Sequence, residues 1–408
     1  MKILHSADWH LGKKLSHFSR MEEQQAVMAE IVEIAREEQV DAVLIAGDLY
    51  DQINPPVEAS ELLYQTLYKL SDQGRRAVVA IAGNHDSPDR VEAPDPLARA
   101  CGILLMGYPD SRPAPFQLDT GLALLRSDAG FAELRLPSGE QLRILATAYA
   151  NEIRLRRFLG TEDSHQALRE ALRSHWQSLA DRYCDEVGVN VLMAHLLFAE
   201  HAGQEVEEPE DEKPILTLGG ASAILSSDLP AGNLHYAALG HLHRFQSLGG
   251  APFPALYSSS PLAYSMSEAD QEKYVVIIEA EAGKPASWRK RPLHSGKRLL
   301  RKSFRQMDSL IAWLQQHPDA WVEVSLRQES YLSAEDQKRI YDSHPGVVAI
   351  IPQIESAEGA AIARPEIDLS QNIEQLFADY FRFRLGQAPH ENLMSLFREI
   401  LAENNEPE

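Results

Sequence analysis

Cysteine is nearly absent: the 408 residues hold two, Cys101 and Cys184. That excludes a disulfide framework and a structural zinc site built on thiolates, and makes a reducing cytoplasm the expected compartment. Also missing is any apolar run approaching a membrane span; the longest are residues 77–82 and 274–278. Residues 1–8 lack the apolar core and cleavage site of a signal peptide. Positive charge is scarce. Lys and Arg number 39 against 60 Asp and Glu, a net −21, the opposite of the basic face that a simple nucleic-acid reader carries. Part of the excess is one run, residues 205–212, read as a solvated loop. No Gly-x-x-x-x-Gly-Lys-Ser/Thr loop is present to cradle ATP.

What remains is the composition of a folded, multi-unit protein. Apolar residues make up 44%, as in ordinary globular chains, and the length implies two or three units. Residues 2–5 read as a strand, and 20–38 as a helix with Val27, Met28, Ile31, Ile34 and Ala35 on one face. A buried strand at 42–46, a helix at 57–71 and a strand at 77–81 follow. That alternation indicates right-handed βαβ units and a parallel core. Strands are expected at 122–125, 132–136, 141–148, 189–194 and 235–239, and a helix at 164–183. Short strands near 255–257, 274–279 and 288–292 are expected to form a second sheet packed on the first. After residue 294 comes a basic stretch with Lys297, Arg298, Arg301, Lys302 and Arg305. It leads into a compact strand-helix-strand-helix-strand pattern over 299–351. Residues 356–364 read as a linker. Two amphipathic helices close the chain, one carrying Ile373, Leu376, Phe377, Tyr380 and Phe381, the other Leu393, Phe397, Ile400 and Leu401.

Ligand-type side chains stand at the ends of five strands: Asp8 and His10, Asp48, Asn84 and His85, His195, and His241 and His243. Each follows an apolar strand by a residue or two, so all can converge on one rim, where open α/β sheets place their ligands. Three oxygen donors (Asp8, Asp48, Asn84) and four imidazoles (His10, His195, His241, His243), with no thiolate, suit Mn²⁺, Fe²⁺ or Zn²⁺ better than Ca²⁺ or Cu⁺. Seven ligands are too many for one open catalytic ion and right for two that share a bridge. A carboxylate has the two oxygens a bridge needs, and Asp48 takes that role by position. Two ions clamp the attacking and leaving oxygens of a phosphoryl displacement and acidify water, so the expected chemistry is metal-assisted hydrolysis of a phosphate ester. A single such histidine is most often a packing or surface residue; the joint arrangement is what chance does not supply. His5, His17, His201 and His235 match no motif and are read as structural.

The order Asp8-Trp9-His10, Gly47-Asp48-Leu49-Tyr50-Asp51, Gly83-Asn84-His85-Asp86, Ala194-His195 and Gly240-His241-Leu242-His243 resembles the calcineurin-like metallophosphoesterase superfamily. Residues 2–12, and Asp48-Leu49-Tyr50-Asp51 followed by Pro55-Pro56, are similar to its SbcD branch of bacterial nuclease subunits. The resemblance implies an α/β fold: a four-layer sandwich of two mixed sheets flanked by helices over residues 1–294, a small α+β capping domain over 295–355, and a C-terminal helical pair over 365–408. It implies one ion on Asp8, His10, Asp48 and His243, and a second on Asp48, Asn84, His195 and His241, with Mn²⁺ as the metal. His85 would stabilise the transition state or protonate the leaving oxygen, and Asp86 would orient a histidine. The implied activity is DNA exonuclease and endonuclease action at double-strand ends and hairpins. The implied partners are an SbcC-type coiled-coil ATPase and a second copy of this chain, a homodimer within a heterotetramer.

Two departures stand out. Archaeal and eukaryotic relatives carry histidine where this chain has Asp51, so His85 carries the proton-transfer role alone. The family's Gly-Ser after the late strand is here Ser258-Ser259-Ser260-Pro261, which loses a glycine's backbone freedom. Phosphoprotein phosphatases fit less well, because their Gly-Asp-x-x-Asp motif continues into Arg-Gly and here Gln52-Ile53 follows. The alternative, a stand-alone metallophosphodiesterase for small cyclic nucleotides, would not need residues 295–408. Lys13, Lys14, Arg20, Arg90 and the 297–305 stretch are the candidate phosphate contacts on DNA.

Overall fold

The computed structural model describes residues 1–155, 164–204, 206, 223–328, 332–354, 372–385 and 389–403. The acidic run at 205–212 (Val206 aside) and the linker at 356–364 lie outside the described residues. The chain divides into two compact units, residues 1–300 with 319–321, and residues 301–318 with 322–408.

The first unit is built on two mixed sheets. In the six-stranded sheet, Lys2–Ser6, Ala42–Ala46, Ala77–Ile81 and Ile103–Met106 run parallel, as the βαβ spacing predicts. Two further strands, Lys273–Glu279 and Ser287–Leu293, extend this sheet antiparallel, with Lys2 opposite Glu279. This corrects the expectation that 274–279 and 288–292 join 255–257 in a second sheet; only 255–257 lies outside the first. An apolar pattern shows that Val275 to Ile278 are buried on both faces, but it cannot say which strand they pair with. The second sheet has eight strands, with Val189–His195 and Tyr236–Gly240 at its centre, parallel to Gln141–Thr147 and Ala255–Tyr257.

Side-chain alternation decides what each face meets. Val191, Met193 and Ala238 point into the core shared with Leu44, Val79 and Val276 of the first sheet. Leu192, Ala194 and Ala237 point the other way, onto Leu172, Trp176 and Leu179 of helix Ser164–Tyr183. Helices Met21–Glu37 and Val57–Ser71 cover the first sheet with Val27, Ile31, Leu63 and Leu67. His5 is structural: its Nδ1 meets the Tyr236 hydroxyl at 2.9 Å between the sheets, and burial pushes its pKa down to about 3.

In the second unit, helices Met307–Gln315 and Ala334–Ser343 bury Leu310, Leu314 and Ile340 beside Val322, Val324 and Val347. Ser333 caps the second helix by accepting from the Asp336 amide at 3.1 Å. Helices Ile373–Leu385 and Glu391–Glu403 pack on each other, Phe377 stacking on Phe397 with centroids 4.0 Å apart.

The two sheets of the first unit pack tightly at Gly240. A Cβ there would sit 1.8 Å from the Ala46 carbonyl oxygen and 2.9 Å from His195 Nδ1. Gly240→Ala is expected to destabilise the protein by about 1–3 kcal/mol, lowering the melting temperature by several degrees in calorimetry. An unchanged transition would show that the sheets can separate freely there.

Candidate metal centre

His195 ends its strand, the other candidates follow theirs in turns, and four of them have unusual backbone. Asp8, His10, Asp48 and His241 have φ of 55°, 43°, 47° and 104°. Left-handed conformations of this kind cost about 1–3 kcal/mol each and persist where the surroundings over-determine them, typically at functional sites. Here backbone bonds tie the loops together: Asp8 N donates to Gly47 O at 3.0 Å, His10 N to Asp48 O at 2.9 Å and Leu11 N to Leu49 O at 3.0 Å. The first sheet supplies Asp8, His10, Asp48, Asn84 and His85, and the second supplies His195, His241 and His243. Apart from the partly exposed Asn84, all of them are buried.

The contacts fall into two groups around Asp48. On one side His10 Nε2 and His243 Nε2 face each other at 2.9 Å, and His10 Nε2 lies 3.6 Å from Asp48 Oδ2. Asp8, His10 and His243 offer ligand atoms within 4.8 Å of one another. On the other side His195 Nε2 is 2.8 Å from Asn84 Oδ1 and 3.3 Å from Asp48 Oδ2. His241 stands edge-on to His195, centroids 5.5 Å apart, and its backbone N–H donates to Asp8 Oδ1 at 2.8 Å. The other Asp8 oxygen is buried with no hydrogen-bond partner among the described residues.

His195 shows what this crowding requires. Its Nδ1–H donates to the Ala46 carbonyl at 2.9 Å, which leaves Nε2 aimed at two oxygens that can only accept. Burial alone would lower its pKa, but Asp48 and Asp8 outweigh burial and raise it to about 9. Burial pushes Asp8 up to about 6 against the pull of His195 and His243. A cation between these groups satisfies all of them at once, whereas a proton satisfies one contact. The donor set therefore fits divalent ions.

Residues 1–245 match the family described as Calcineurin-like phosphoesterase. The chain is 36% identical to the SbcD component of the nuclease SbcCD of Bacillus subtilis (strain 168), over 98% of this chain and 97% of that one. The chain belongs to this SbcD family. The same component from Rhodobacter capsulatus is 36% identical over 69% of this chain and 67% of its own. That of Staphylococcus epidermidis is 29% identical over 69% and 66%. Calcineurin-like phosphoesterases use divalent metals, and the Asp and His groups gathered here are of the ligand type they need.

His85 lies beside the candidate ligands, outside the two groups around Asp48, and with His10 and Asp51 forms a further set of ligand-type atoms within 4.8 Å of one another. Its backbone N–H donates to Asp48 Oδ1 at 2.9 Å, its ring stands edge-on to His10 at 4.8 Å, and its Nδ1 meets the Asp51 carbonyl at 2.7 Å. Asp86 does not orient a histidine, contrary to the family-based expectation. Its carboxylate accepts the amides of Gly83 (2.8 Å), Leu49 (3.0 Å) and Tyr50 (2.9 Å). Asp86 thus clasps the Asn84 loop to the Asp48 loop; a short carboxylate at a turn reaches backbone more readily than a ring. Burial, with Asp48 nearby, raises its pKa to about 6.

Three supporting residues have no motif in the sequence. Glu268, buried, takes His243 Nδ1 at 3.3 Å and the Lys273 ammonium, and these two hold its carboxyl well below the usual range despite burial. Orienting a ligand histidine through its far nitrogen is how such carboxylates tune metal sites. Lys273 also donates to the His243 carbonyl at 2.9 Å. Arg154 donates to the carbonyls of Gly83 (2.6 Å) and Asp86 (2.7 Å), pinning the Asn84 loop from the far side. The Ser258 to Ser260 run is fully buried, and Ser259 takes φ of 83° where a glycine would be at ease. Ser260 N donates to the His243 carbonyl at 3.2 Å, so this run supports a ligand. Of the proposed DNA contacts, Arg20 is buried against Glu23 and the Ala263 carbonyl, and Lys13 is buried 3.5 Å from Asp51. Lys14 and Arg90 are exposed.

Arg154→Met is expected to weaken Mn²⁺ binding about 10- to 100-fold in a calorimetric titration, with the circular dichroism unchanged; wild-type affinity would mean that the loop keeps its shape unaided. A second expectation concerns pH. In chelator, the stability contributed by the raised His195 pKa is complete below its ordinary 6.5 and is lost as pH climbs through about 9. The melting temperature of metal-free protein should therefore fall between pH 6.5 and 9, and His195→Asn should flatten that slope.

Proposed function

We propose that the chain is the nuclease subunit of an SbcC–SbcD-type complex, hydrolysing DNA phosphodiester bonds at double-strand ends and hairpins in the cytoplasm. The observation that carries this reading is the meeting of seven ligand-type side chains at the rim between two sheets, in a chain of the SbcD family. One ion would be held by Asp8, His10, Asp48 and His243, the other by Asp48, Asn84, His195 and His241, with Mn²⁺ as the metal. When bound, the pair supplies an acidified water near neutral pH and charge stabilisation for both oxygens of an in-line displacement. The residues do the rest. Asp48, held through Oδ1 by the His85 amide, keeps Oδ2 between the two ligand groups. His85 gives its Nδ1 hydrogen to the Asp51 carbonyl, which orients the ring; as the imidazolium it would carry a second hydrogen, on Nε2, to the leaving oxygen.

The finer organisation belongs to the same proposal: a four-layer phosphoesterase domain over 1–294, a capping domain over 295–355 and helices over 365–408 that dock on the ATPase. Ile373 and Tyr380 lie on one stripe and stay more than half exposed after the terminal helices have paired, which supports docking on a coiled coil. On helix Val57–Ser71, Val57, Tyr64 and Tyr68 form an exposed apolar stripe that supports pairing with a second copy of the chain.

The test is Mn²⁺-loaded protein on linear duplex, a hairpin and bis-p-nitrophenyl phosphate, with and without the ATPase. DNA hydrolysis is expected. Cleavage of the small diester but never of DNA, even with the ATPase, would favour the small-substrate phosphodiesterase. His85→Gln should lower kcat on DNA by about 10²–10⁴ with metal content unchanged. Nitrophenolate leaves without a proton, so the small diester should lose far less; equal losses would assign His85 to charge stabilisation instead.

A further inference from the structure

Resting on the nuclease reading, we propose that Phe245, Tyr274, Trp288 and Lys290 form a surface on which unpaired nucleotides of the DNA substrate stack on their way to the metal centre. Phe245 is the hub. Its ring centroid lies 5.7 Å from that of Tyr274 and 5.8 Å from that of Trp288. Lys290 Nζ lies 4.7 Å from the Phe245 centroid and 4.4 Å from that of Tyr274. Trp288 is 38% exposed.

Two short paths join this surface to a candidate ligand. Phe245 is two residues beyond His243, so their Cα atoms are within about 7 Å. Tyr274 follows Lys273, whose ammonium holds the His243 carbonyl at 2.9 Å. Charge separates the two faces of the Ser287–Leu293 strand. Arg289 and Arg291 are neutralised by Glu38 and Glu37 at the end of helix Met21–Glu37. Lys290, on the opposite face, has aromatic partners and no ion pair among the described residues. Arg244, exposed next to Phe245, has none either.

Lys290 lies over the Phe245 and Tyr274 rings, so Trp288 offers the open ring face. An open ring beside uncompensated cations is the chemistry that holds single-stranded nucleic acid, the ring taking a base of any sequence and the cations taking phosphates. A duplex buries its base faces. The surface therefore discriminates for frayed ends, overhangs and hairpin loops, holding the unpaired strand on a flank that Phe245 connects to His243.

The experiment compares wild type, Trp288→Ala and Lys290→Gln, all full-length with Mn²⁺, on a single-stranded oligonucleotide and on bis-p-nitrophenyl phosphate. Trp288→Ala should raise KM for the oligonucleotide about fivefold or more and leave the small diester unaffected. Lys290→Gln should flatten the salt dependence of oligonucleotide binding. In EDTA, the oligonucleotide should quench wild-type tryptophan fluorescence, and Trp288→Phe should remove that quench. Unchanged oligonucleotide kinetics in Trp288→Ala, or equal losses on both substrates, would overturn the stacking surface. Wild-type protein that cleaves the diester and never DNA sinks the nuclease reading and this surface together. An active wild-type nuclease with an indifferent Trp288→Ala sinks the surface alone.

Discussion

The hydrogen bond from His195 Nδ1 to the Ala46 carbonyl, 2.9 Å long, does three things at once. It fixes the tautomer of the histidine, aims Nε2 at Asn84 and Asp48, and joins the second sheet to the strand that delivers Asp48. The ligands come from both sheets, so the distance between sheets is also the distance between ligand groups. That explains why glycines stand at the points of contact. A Cβ on Gly47 would lie 2.1 Å from His195 Nδ1, across the sheets, and one on Gly83, between two loops of the first sheet, would lie 2.0 Å from Asp48 Oδ1. These positions select for the absence of a side chain because a ligand already fills the space.

The surrounding polar groups serve the same constraint from further out. Asp86 ties two loops of the first sheet to each other, and Arg154, which follows the second sheet's Gln141–Thr147 strand, grips the carbonyl side of one of them. Glu268 and Lys273 do for His243 what Ala46 does for His195. The left-handed backbone at four candidate ligands is held by this mesh of backbone bonds, and removing one strut should be felt at a ligand rather than where the strut is anchored.

Elements with strong periodicity were legible in the sequence alone: the strands at 42–46 and 77–81 and the helices at 57–71 and 164–183 have the expected bounds. The strand ends were legible because each motif puts a ligand type directly after an apolar run. Partner choice was not, since Lys273–Glu279 reads equally well beside either sheet. The supports were hidden for a different reason. Glu268 stands three residues after Ser265 and closes a capping box there, which is all that local sequence reveals; its contact with His243 spans 25 residues. Arg154 sits in no motif, and its grip on the loop is through backbone carbonyls, which carry no sequence signature. Asp86 carried a signal that pointed to the wrong partner, because Asn-His-Asp does not say whether the aspartate meets a ring or an amide.

A chain with net charge −21 and a polyanionic substrate are compatible once range is considered. At physiological salt, exposed charges are screened beyond about 8 Å, so a phosphate at the rim responds to its immediate surroundings and not to the sum. Those surroundings are carboxylates already engaged by amides and imidazoles. Away from the rim, at the amino end of the Ala42–Ala46 strand, Glu37 and Glu38 are spent on Arg291 and Arg289. That leaves Lys290 and Arg244 to act on the opposite face. The acidity of the whole still has a use: it weakens non-specific attraction to DNA, so residence on the substrate depends on contacts that only a correctly placed strand can make.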